Sequence, residues 1–297
     1  MRPDCWEGGT SGAVELSHEP LPDRKSHPGP PGMLYGLARY GKHTGSAADA
    51  NLTRSEKSTD QSSAHPAERE QTSLRKWMRR LLVALAIVLL APFVLVPAYI
   101  VIPPPVSSLM LWRMVQGQGI TRYWTPLEQF SPNLVDAVLS SEDGRFCLHQ
   151  GVDWQAVEIV LDDLIDGGNP RGASTLTMQT VKNLFLWPSR SYLRKALEIP
   201  LALYADLFWS KRRIAEIYLN VAEWGPGLYG AEAAARRYFG KTAARLSMRE
   251  ASLLATALPN PLARNPRQPS AAHARLARTV EARARKSAGL FSCVGNR

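Results

Sequence analysis

The sequence predicts a mostly α-helical domain that follows a single membrane-spanning helix, and three observations support this prediction. Residues 81–102 form an apolar run without a single charge, and about 20 apolar residues are enough to cross a bilayer. Beyond this run, apolar residues recur at helical spacing, glycine and proline interrupt them, and strand-like alternation is almost absent. The formal net charge is +10, and most of the basic excess lies after residue 102.

The basic charge alone does not identify a partner. A basic domain is attracted to nucleic acid, to anionic lipid headgroups or to a phosphorylated substrate.

Residues 1–72 are rich in Gly, Pro, Ser, His and charged residues, without a sustained period, which predicts a disordered tail. The three cysteines, at positions 5, 147 and 293, match no metal or disulfide framework, and a Cys147–Cys293 bridge is disfavoured.

Residues 73–102 are interpreted as a basic flank and a membrane anchor. Four cations precede the apolar run between Arg75 and Arg80, and three prolines follow it. The positive-inside rule therefore places the amino terminus in the cytoplasm and the later residues outside. A buried core helix is the alternative, but the one-sided flank favours an anchor. A cleavable signal peptide fits poorly because the run begins about 80 residues from the start.

The residues after the anchor predict seven helices. Ser131 is expected to cap the first of them, with Pro132 at the first helical position, and Ser247 with Glu250 forms a capping box before the last. The final residues alternate Ala and Arg, which indicates a basic surface helix. We therefore predict a domain over 103–265 and a basic carboxyl-terminal extension over 266–297. The predicted helices are 132–149, 154–164, 175–185, 192–208, 214–221, 229–238 and 248–258.

Two segments in the first half of the domain contain side chains that could take part in catalysis or binding. Glu142, Phe146 and His149 are spaced i, i+4, i+7 and share one face if the segment is helical, although this pattern alone favours a structural role. Next, a turn rich in glycine and hydroxyl groups precedes a helix, where free N–H groups can bind an anion. This turn is not a Walker loop, because the GKS or GKT ending is absent. Its residues are Gly172, Ser174, Thr175 and Thr177, and the helix carries Gln179, Lys182 and Asn183.

Two further segments follow. Arg190, Arg194 and Glu198 lie at i, i+4, i+8 behind a Pro-Ser helix start, and an exposed salt-bridge face is the simplest interpretation of this spacing. In the next segment, apolar residues including Ile214 and Tyr218 form a helical stripe that is typical of a core.

In this order and at these intervals, the four segments resemble the motifs of the peptidoglycan glycosyltransferase family, glycosyltransferase family 51. This module occurs in bifunctional class A penicillin-binding proteins and in monofunctional biosynthetic transglycosylases. The resemblance covers roughly residues 105–262, and one departure is Met178, where many members carry glutamine. The patterns EDxxFxxHxGxD, GxSTxTxQxxKN, RKxxE and KxxIxExYLN begin at Glu142, Gly172, Arg194 and Lys211.

The resemblance implies a lysozyme-like, mostly helical fold and a reaction that polymerises lipid II into glycan strands and releases undecaprenyl pyrophosphate. Glu142 would be the base for the C4 hydroxyl of the acceptor N-acetylglucosamine, and Lys182 and Arg190 would stabilise the pyrophosphate. Glu198 would be a second acid, acting directly, through water or by holding a divalent cation such as magnesium or manganese. No cofactor is required with certainty. The other implied contacts are Ser174, Thr175, Gln179, Arg194, Asn183, Phe146 and His149.

The implied location is the cytoplasmic, or inner, membrane, with a cytoplasmic amino terminus and a periplasmic catalytic domain. The implied partners are the membrane, lipid II and the growing glycan strand. Cell-wall proteins of division or elongation are further candidates, and nucleic acid is not a partner.

Three alternative functions are less consistent with the sequence. A lytic transglycosylase or lysozyme has no pyrophosphate to neutralise, so the basic motifs argue against it. An inert scaffold is disfavoured because Glu142 and Glu198 are both present. A bifunctional penicillin-binding protein is disfavoured by length: residues 73–76 spell SxxK, but on the cytoplasmic side and without the accompanying SxN and KTG motifs.

Overall fold

The computed structural model describes residues 66–168, 172–189, 191–287 and 289–295. The predicted disordered tail lies almost entirely outside these residues, and Arg190 lies outside them as well.

The first helix, α1, covers Pro66–Ala98 and contains a stretch of 26 residues, Ser73–Ala98, that is long and apolar enough to cross a membrane. Most of its apolar side chains are exposed, so it is not a core helix. It ends four residues before the apolar run does. The chain turns there because the carbonyls of Tyr99 and Ile102 accept hydrogen bonds from Arg213, at 2.8 and 2.9 Å.

The end of α1 is also packed against the domain. Val96 and Tyr99 are buried, and the indole N–H of Trp209 donates to the Val96 carbonyl at 2.7 Å. The anchor is therefore joined to the domain by side-chain contacts as well as by the chain itself.

The described residues after the anchor are mostly helical, which confirms the predicted fold class. One small sheet has the order β1-β3-β2, with β1 parallel and β2 antiparallel to β3. Its strands are β1 Thr121–Arg122, β2 Glu223–Gly225 and β3 Leu228–Tyr229. The helices are α2 Ser108–Val115, α3 Pro132–Glu142, α4 Trp154–Ile165, α5 Leu176–Phe185, α6 Tyr192–Phe208, α7 Lys211–Val221, α8 Ala231–Phe239, α9 Met248–Ala257 and α10 Ala271–Lys286.

The helices pack in two groups around one apolar core. In the first group α3 lies against α9 and α10, and in the second α5 lies against α6, α7 and α2. The anchor helix contacts α6. Glu142 is the last residue of α3, whereas Lys182 and Glu198 lie on α5 and α6, so the groups bring the candidate residues of separate motifs together.

Two helix starts were predicted from capping residues, with different outcomes. The Ser247–Glu250 capping box is present as predicted, with both reciprocal hydrogen bonds. Ser131 precedes α3, and Pro132 occupies its first turn, but the Ser131 hydroxyl does not cap the helix. It donates instead to the carbonyl of Leu246 at 3.0 Å, which ties the start of α3 to the segment before α9.

The predicted helix over 132–149 is too long, because α3 ends at Glu142. Asp143 leaves the helical conformation, with φ −158° and ψ 73°. Its carboxylate accepts the N–H of Leu176 at 2.8 Å and lies 3.0 Å from Nε2 of His149, so the chain has to turn back at this point. Glu142, Phe146 and His149 therefore do not share a helical face.

The structure also corrects the expectation about the cysteines. Cys147 and Cys293 form a disulfide, with their Cα atoms 5.7 Å apart and a sequence separation of 146. It joins the turn after α3 to a 3-10 turn at Ser292–Val294, which is held against α7 by a hydrogen bond from Arg212 to the Val294 carbonyl, 3.0 Å long. This proximity depends on tertiary packing, so no spacing rule along the chain could reveal it.

Candidate active site

A cavity of about 410 Å³, lined by both polar and apolar groups, lies between α2, α5, α7, β2 and the loops that follow α5 and α9. Gln179, Lys182 and Asn183 of α5 form one wall, with Tyr218 of α7 beside them. Arg194 reaches the cavity from the first turn of α6. Residues from the second, third and fourth predicted motifs thus meet in one cavity.

Glu142 is held at the end of α3 by two uncharged donors. Its carboxylate accepts hydrogen bonds from the Gln179 amide, at 3.2 Å, and from the Ser141 hydroxyl, at 3.3 Å. The hydroxyl of Tyr218 donates to the Gln179 carbonyl oxygen at 3.1 Å. Because this bond uses the amide oxygen as its acceptor, it directs the amide NH₂ group toward Glu142.

The environment of Glu142 raises the pKa of its carboxyl. Burial is the largest cause, and it is opposed by the hydrogen bonds of Gln179 and Ser141 and by the charges of Lys182 and Arg264. A carboxylate with a pKa closer to neutrality is better matched to accept a proton in a reaction.

Lys182 is the cation of α5, and its charge acts on this carboxylate. Burial lowers the pKa of its amine, the charge of Arg194 lowers it further, and the charge of Glu142 opposes both. These couplings place Glu142, Lys182 and Arg194 within electrostatic reach of one another.

The turn after α3 orients Glu142 rather than lining the cavity. Asp143 binds both the start of α5 and His149, as described above, and Phe146 and His149 are buried. The hydroxyl of Thr175 donates to the carbonyl of Gly151 at 2.5 Å. Gly151 has φ +74°, and a Cβ there would lie 2.7 Å from a carbonyl oxygen of α6, so this tight turn requires glycine.

The start of α5 binds protein groups where the sequence suggested a phosphate. The N–H of Leu176 donates to the Asp143 carboxylate, and the N–H of Met178 donates to the Thr175 hydroxyl at 3.2 Å. The anion at this helix terminus is therefore the side chain of Asp143. A phosphate would have to displace it, so the side chains further along α5 are better candidates for anion binding than this helix terminus.

Glu198 lies in a different environment, between two cations. It is only 1% exposed, it forms an ion pair with Arg194 and one of its oxygens is 3.2 Å from the Lys195 amine. The same amine donates to the hydroxyl of Ser174 at 3.2 Å. Burial, followed by the charges of Arg194 and Lys182, lowers the pKa of Lys195 to about 8.

This arrangement does not suit Glu198 as a metal ligand. Each of its oxygens already contacts a cationic side chain, which a divalent ion would have to displace. Among the described residues, no three His, Cys, Asp or Glu side chains cluster around a point that could hold a metal ion.

Three charged residues of the site belong to none of the four sequence motifs. Arg113 of α2 and Glu223 of β2 line the cavity and form an ion pair at 3.0 Å, and burial raises the pKa of Glu223 while Arg113 opposes this. Arg264 acts on Glu142 from the loop after α9. The only hint in the sequence was that Arg113 is the single charged residue of an otherwise apolar helix.

Comparison with known proteins identifies the family. The transglycosylase family matches residues 110–285, more than half of the chain. The biosynthetic peptidoglycan transglycosylase of Agrobacterium fabrum is 53% identical over 222 residues, which cover 74% of this chain and 98% of the relative. The protein of the same name from Brucella suis is 55% identical over 215 residues, with 72% and 95% covered. That from Rhizobium meliloti is 50% identical over 233 residues, with 77% and 99% covered. The chain therefore belongs to the transglycosylase family.

Proposed function

We propose that this protein is a peptidoglycan glycosyltransferase that polymerises lipid II into glycan strands and releases undecaprenyl pyrophosphate. The observation that carries the proposal is the position of Glu142, a carboxylate of raised pKa that is hydrogen-bonded to the wall of a cavity containing Lys182 and Arg194. This combination supplies a proton acceptor beside a group of anion-binding cations.

In the proposed reaction Glu142 acts as the general base. It takes the proton from the C4 hydroxyl of the acceptor N-acetylglucosamine as that oxygen forms a bond to the anomeric carbon of the donor. The bond from the anomeric carbon to the phosphate oxygen breaks, and its electron pair leaves with undecaprenyl pyrophosphate. Gln179 keeps the carboxylate oriented, because its own amide is fixed by Tyr218.

The departing pyrophosphate gains negative charge, which Lys182 and Arg194 are placed to stabilise. Arg190, which lies outside the described residues, remains a proposed third cation for this group. Ser174 and Glu198 act through Lys195 and Arg194, whose positions they hold. Thr175, Phe146 and His149 position the turn that carries Glu142, and Asn183 lies in the cavity wall.

The decisive experiment is polymerisation of labelled lipid II by the full-length protein in detergent. We expect polymeric glycan and free undecaprenyl pyrophosphate, and we expect purified glycan strands to remain intact. Cleavage of glycan strands without polymerisation of lipid II would identify a lytic enzyme and contradict the proposal. A β-lactam should not label the protein.

We further propose that the single candidate membrane helix crosses the cytoplasmic membrane with the amino terminus inside, because Arg75, Lys76, Arg79 and Arg80 all precede its apolar part. The domain then faces the leaflet that carries flipped lipid II. A reporter that is active only in the periplasm should be active when fused after residue 297. Activity of a cytoplasm-specific reporter at the same place would contradict this orientation.

A further inference from the structure

The ion pair between Arg113 and Glu223 lies in the wall of the cavity, and the proposed reaction gives it no role. Arg113 belongs to the last turn of α2, and Glu223 is the first residue of β2. Their side chains are only 19% and 6% exposed. A few fixed polar groups in the wall of a cavity commonly determine which ligand it accepts.

This ion pair uses only one nitrogen and one oxygen. Pairs between arginine and a carboxylate are frequently bidentate, with two parallel N–H···O bonds. Here Nη2 of Arg113 donates to Oε2 of Glu223 at 3.0 Å, while Nη1 donates to the amide oxygen of Gln116 at 3.3 Å. Among the described residues, neither Nε of Arg113 nor Oε1 of Glu223 has a hydrogen-bond partner, although both atoms are buried.

Buried polar atoms without a partner are unfavourable, and they are uncommon in native proteins. Tyr229 pairs with Glu223 between β3 and β2, and its buried hydroxyl also bonds to no group in the described part of the chain. Tyr229 does not line the cavity, whereas Arg113 and Glu223 do. A ligand in the cavity can therefore complete the hydrogen bonds of these two side chains.

The ligand group that completes them has to donate one hydrogen bond and accept another. A guanidinium N–H can only donate, and an ionised carboxylate can only accept. The charge of Arg113 favours the ionised form of Glu223, because it opposes the rise in pKa that burial causes. A secondary amide meets both requirements, with its N–H and its carbonyl oxygen.

An apolar side chain adjoins the ion pair. Leu109 precedes Arg113 by one helical turn, so both lie on the same side of α2, and both line the cavity. Leu258 and Pro259 add further apolar surface from the end of α9 and the loop after it. A hydroxyl group also donates and accepts, but it has no apolar part to contact Leu109, whereas an acetamido group ends in a methyl group.

We propose that Arg113 and Glu223 recognise the acetamido group of the sugar that is bonded to the pyrophosphate. The inference rests on the proposed function and adds two specificity-determining residues to it. Rotation of the two side chains presents Oε1 of Glu223 to the amide N–H and Nε of Arg113 to the carbonyl oxygen, and the methyl group contacts Leu109. This substituent lies on the carbon next to the anomeric carbon, so the attached pyrophosphate lies in the same cavity as Lys182 and Arg194.

The test compares lipid II with an analogue in which this acetamido group is replaced by an amino group. The analogue keeps the pyrophosphate, the lipid and the second sugar, and kcat/KM for polymerisation by the full-length protein in detergent is measured for each. A site that hydrogen-bonds a substrate group rejects an analogue without it, because its buried polar groups then stay unpaired, so we expect the wild type to prefer lipid II by a factor of about 10² or more.

Arg113→Met combined with Glu223→Leu removes both charges together. Replacing a buried ion pair by apolar residues is often neutral for stability, whereas removing one partner leaves an uncompensated buried charge. The double variant should therefore melt close to the wild type and use the two substrates with nearly equal kcat/KM. If it melts lower, Glu223→Asp replaces it, since aspartate keeps the charge beside Arg113 but withdraws the carboxylate by one methylene, and the preference should again fall.

Arg236→Met combined with Glu232→Gln is the matched control. These two residues form an ion pair on α8, with a separation of 2.6 Å, and they do not line the cavity. Glutamine keeps an acceptor for the N–H of Ala243, which donates to Glu232 at 2.7 Å. The control should keep the wild-type preference for lipid II.

Three outcomes would overturn the proposal. These are equal kcat/KM of the wild type for the two substrates, a wild-type preference in the variants of the Arg113–Glu223 pair, and an equal loss of preference in the control. The second outcome would mean that the pair only joins α2 to β2. Failure of the wild type to polymerise lipid II would contradict the proposed function itself, whereas polymerisation of both substrates at equal rates would leave that function intact and remove only the acetamido assignment.

Discussion

Glu142 and Glu198 are both acidic residues of the candidate site, but their surroundings are opposite. Glu142 is partly exposed at the end of a helix and is held by an amide and a hydroxyl group. Glu198 is buried within a helix and is held directly by Arg194 and Lys195. The resemblance gave them different roles, Glu142 as the base and Glu198 as a second acid, but the residues themselves do not show how their surroundings differ.

The difference supports the proposal that Glu142 is the carboxylate that exchanges a proton. Burial raises the pKa of Glu142, and the hydrogen bonds from its neutral partners and the charges of Lys182 and Arg264 offset this only in part. Two adjacent cations favour the ionised form of a carboxylate, and protonation of Glu198 would leave those cations uncompensated. Glu142 is therefore suited to chemistry, and Glu198 to holding the positive charges in place.

The largest effect on turnover is expected for Glu142→Gln. The amide keeps the shape of the side chain but cannot accept the proton, and general base catalysis contributes about 10² to 10⁴ in rate. Turnover of labelled lipid II measures the loss, and the melting temperature should stay close to that of the wild type. A variant that kept a tenth of wild-type turnover would exclude Glu142 as the base.

Lys182→Ala should have the next largest effect. Loss of one positioned charge donor costs about 2.7 to 4 kcal/mol of transition-state stabilisation, a factor of roughly 10² to 10³ in kcat. Arg190→Ala should act similarly, and Arg190→Lys should recover only part of the rate because a point charge replaces a planar fork. Arg278→Ala on the exposed face of α10 is the control, with near-normal turnover expected. Near-normal turnover by both the Lys182→Ala and the Arg190→Ala variants would mean that the pyrophosphate is held elsewhere.

Glu198→Gln should affect stability more than Glu142→Gln does. It leaves Arg194 and Lys195 without their shared counter-ion, and breaking a buried ion pair costs on the order of 3 to 5 kcal/mol. We expect a lower melting temperature and reduced turnover together. Differential scanning calorimetry of the two glutamine variants in parallel gives the comparison directly. Equal melting temperatures would remove the distinction between the two carboxylates.

The smallest effect is a change in pH dependence. Glu142 has to be ionised, so kcat should rise with pH through its raised pKa. Lys195 is charged below its pKa of about 8 and neutral above it, so the site loses one positive charge as the pH rises through that value. Lys195→Arg keeps the charge, and its kcat should stay high near pH 9, where that of the wild type declines. A basic limb that Lys195→Arg leaves in place would show that Lys195 does not control it.

The predictions from sequence succeeded where local pattern determines structure. Helical spacing identified α3 to α9, although not all of their ends, and it did not identify α2. The Ser247–Glu250 capping box was found as predicted. The resemblance named Glu142, Lys182 and Arg194 among the site residues, and in the structure the charges of Glu142 and Arg194 both act on Lys182.

The predictions failed where a contact from a distant part of the chain overrides local preference. The helix over 132–149 stops early because Asp143 binds a backbone N–H of α5, 33 residues away. Arg113 and Glu223 are 110 residues apart, and neither belongs to a motif, so only the folded structure shows them as a pair lining the cavity.

The disulfide can close only late in the synthesis of the protein. Cys147 and Cys293 are 146 residues apart, so at roughly 5 to 20 residues per second about 7 to 30 s separate the synthesis of the two thiols. During this interval Cys147 has no correct partner, although the turn beside Glu142 already exists. The remaining cysteine, Cys5, precedes the anchor and, in the proposed orientation, lies across the membrane. In that orientation Cys147 and Cys293 are the two cysteines of this sequence on the outer side, so their bond can form without a reshuffling step.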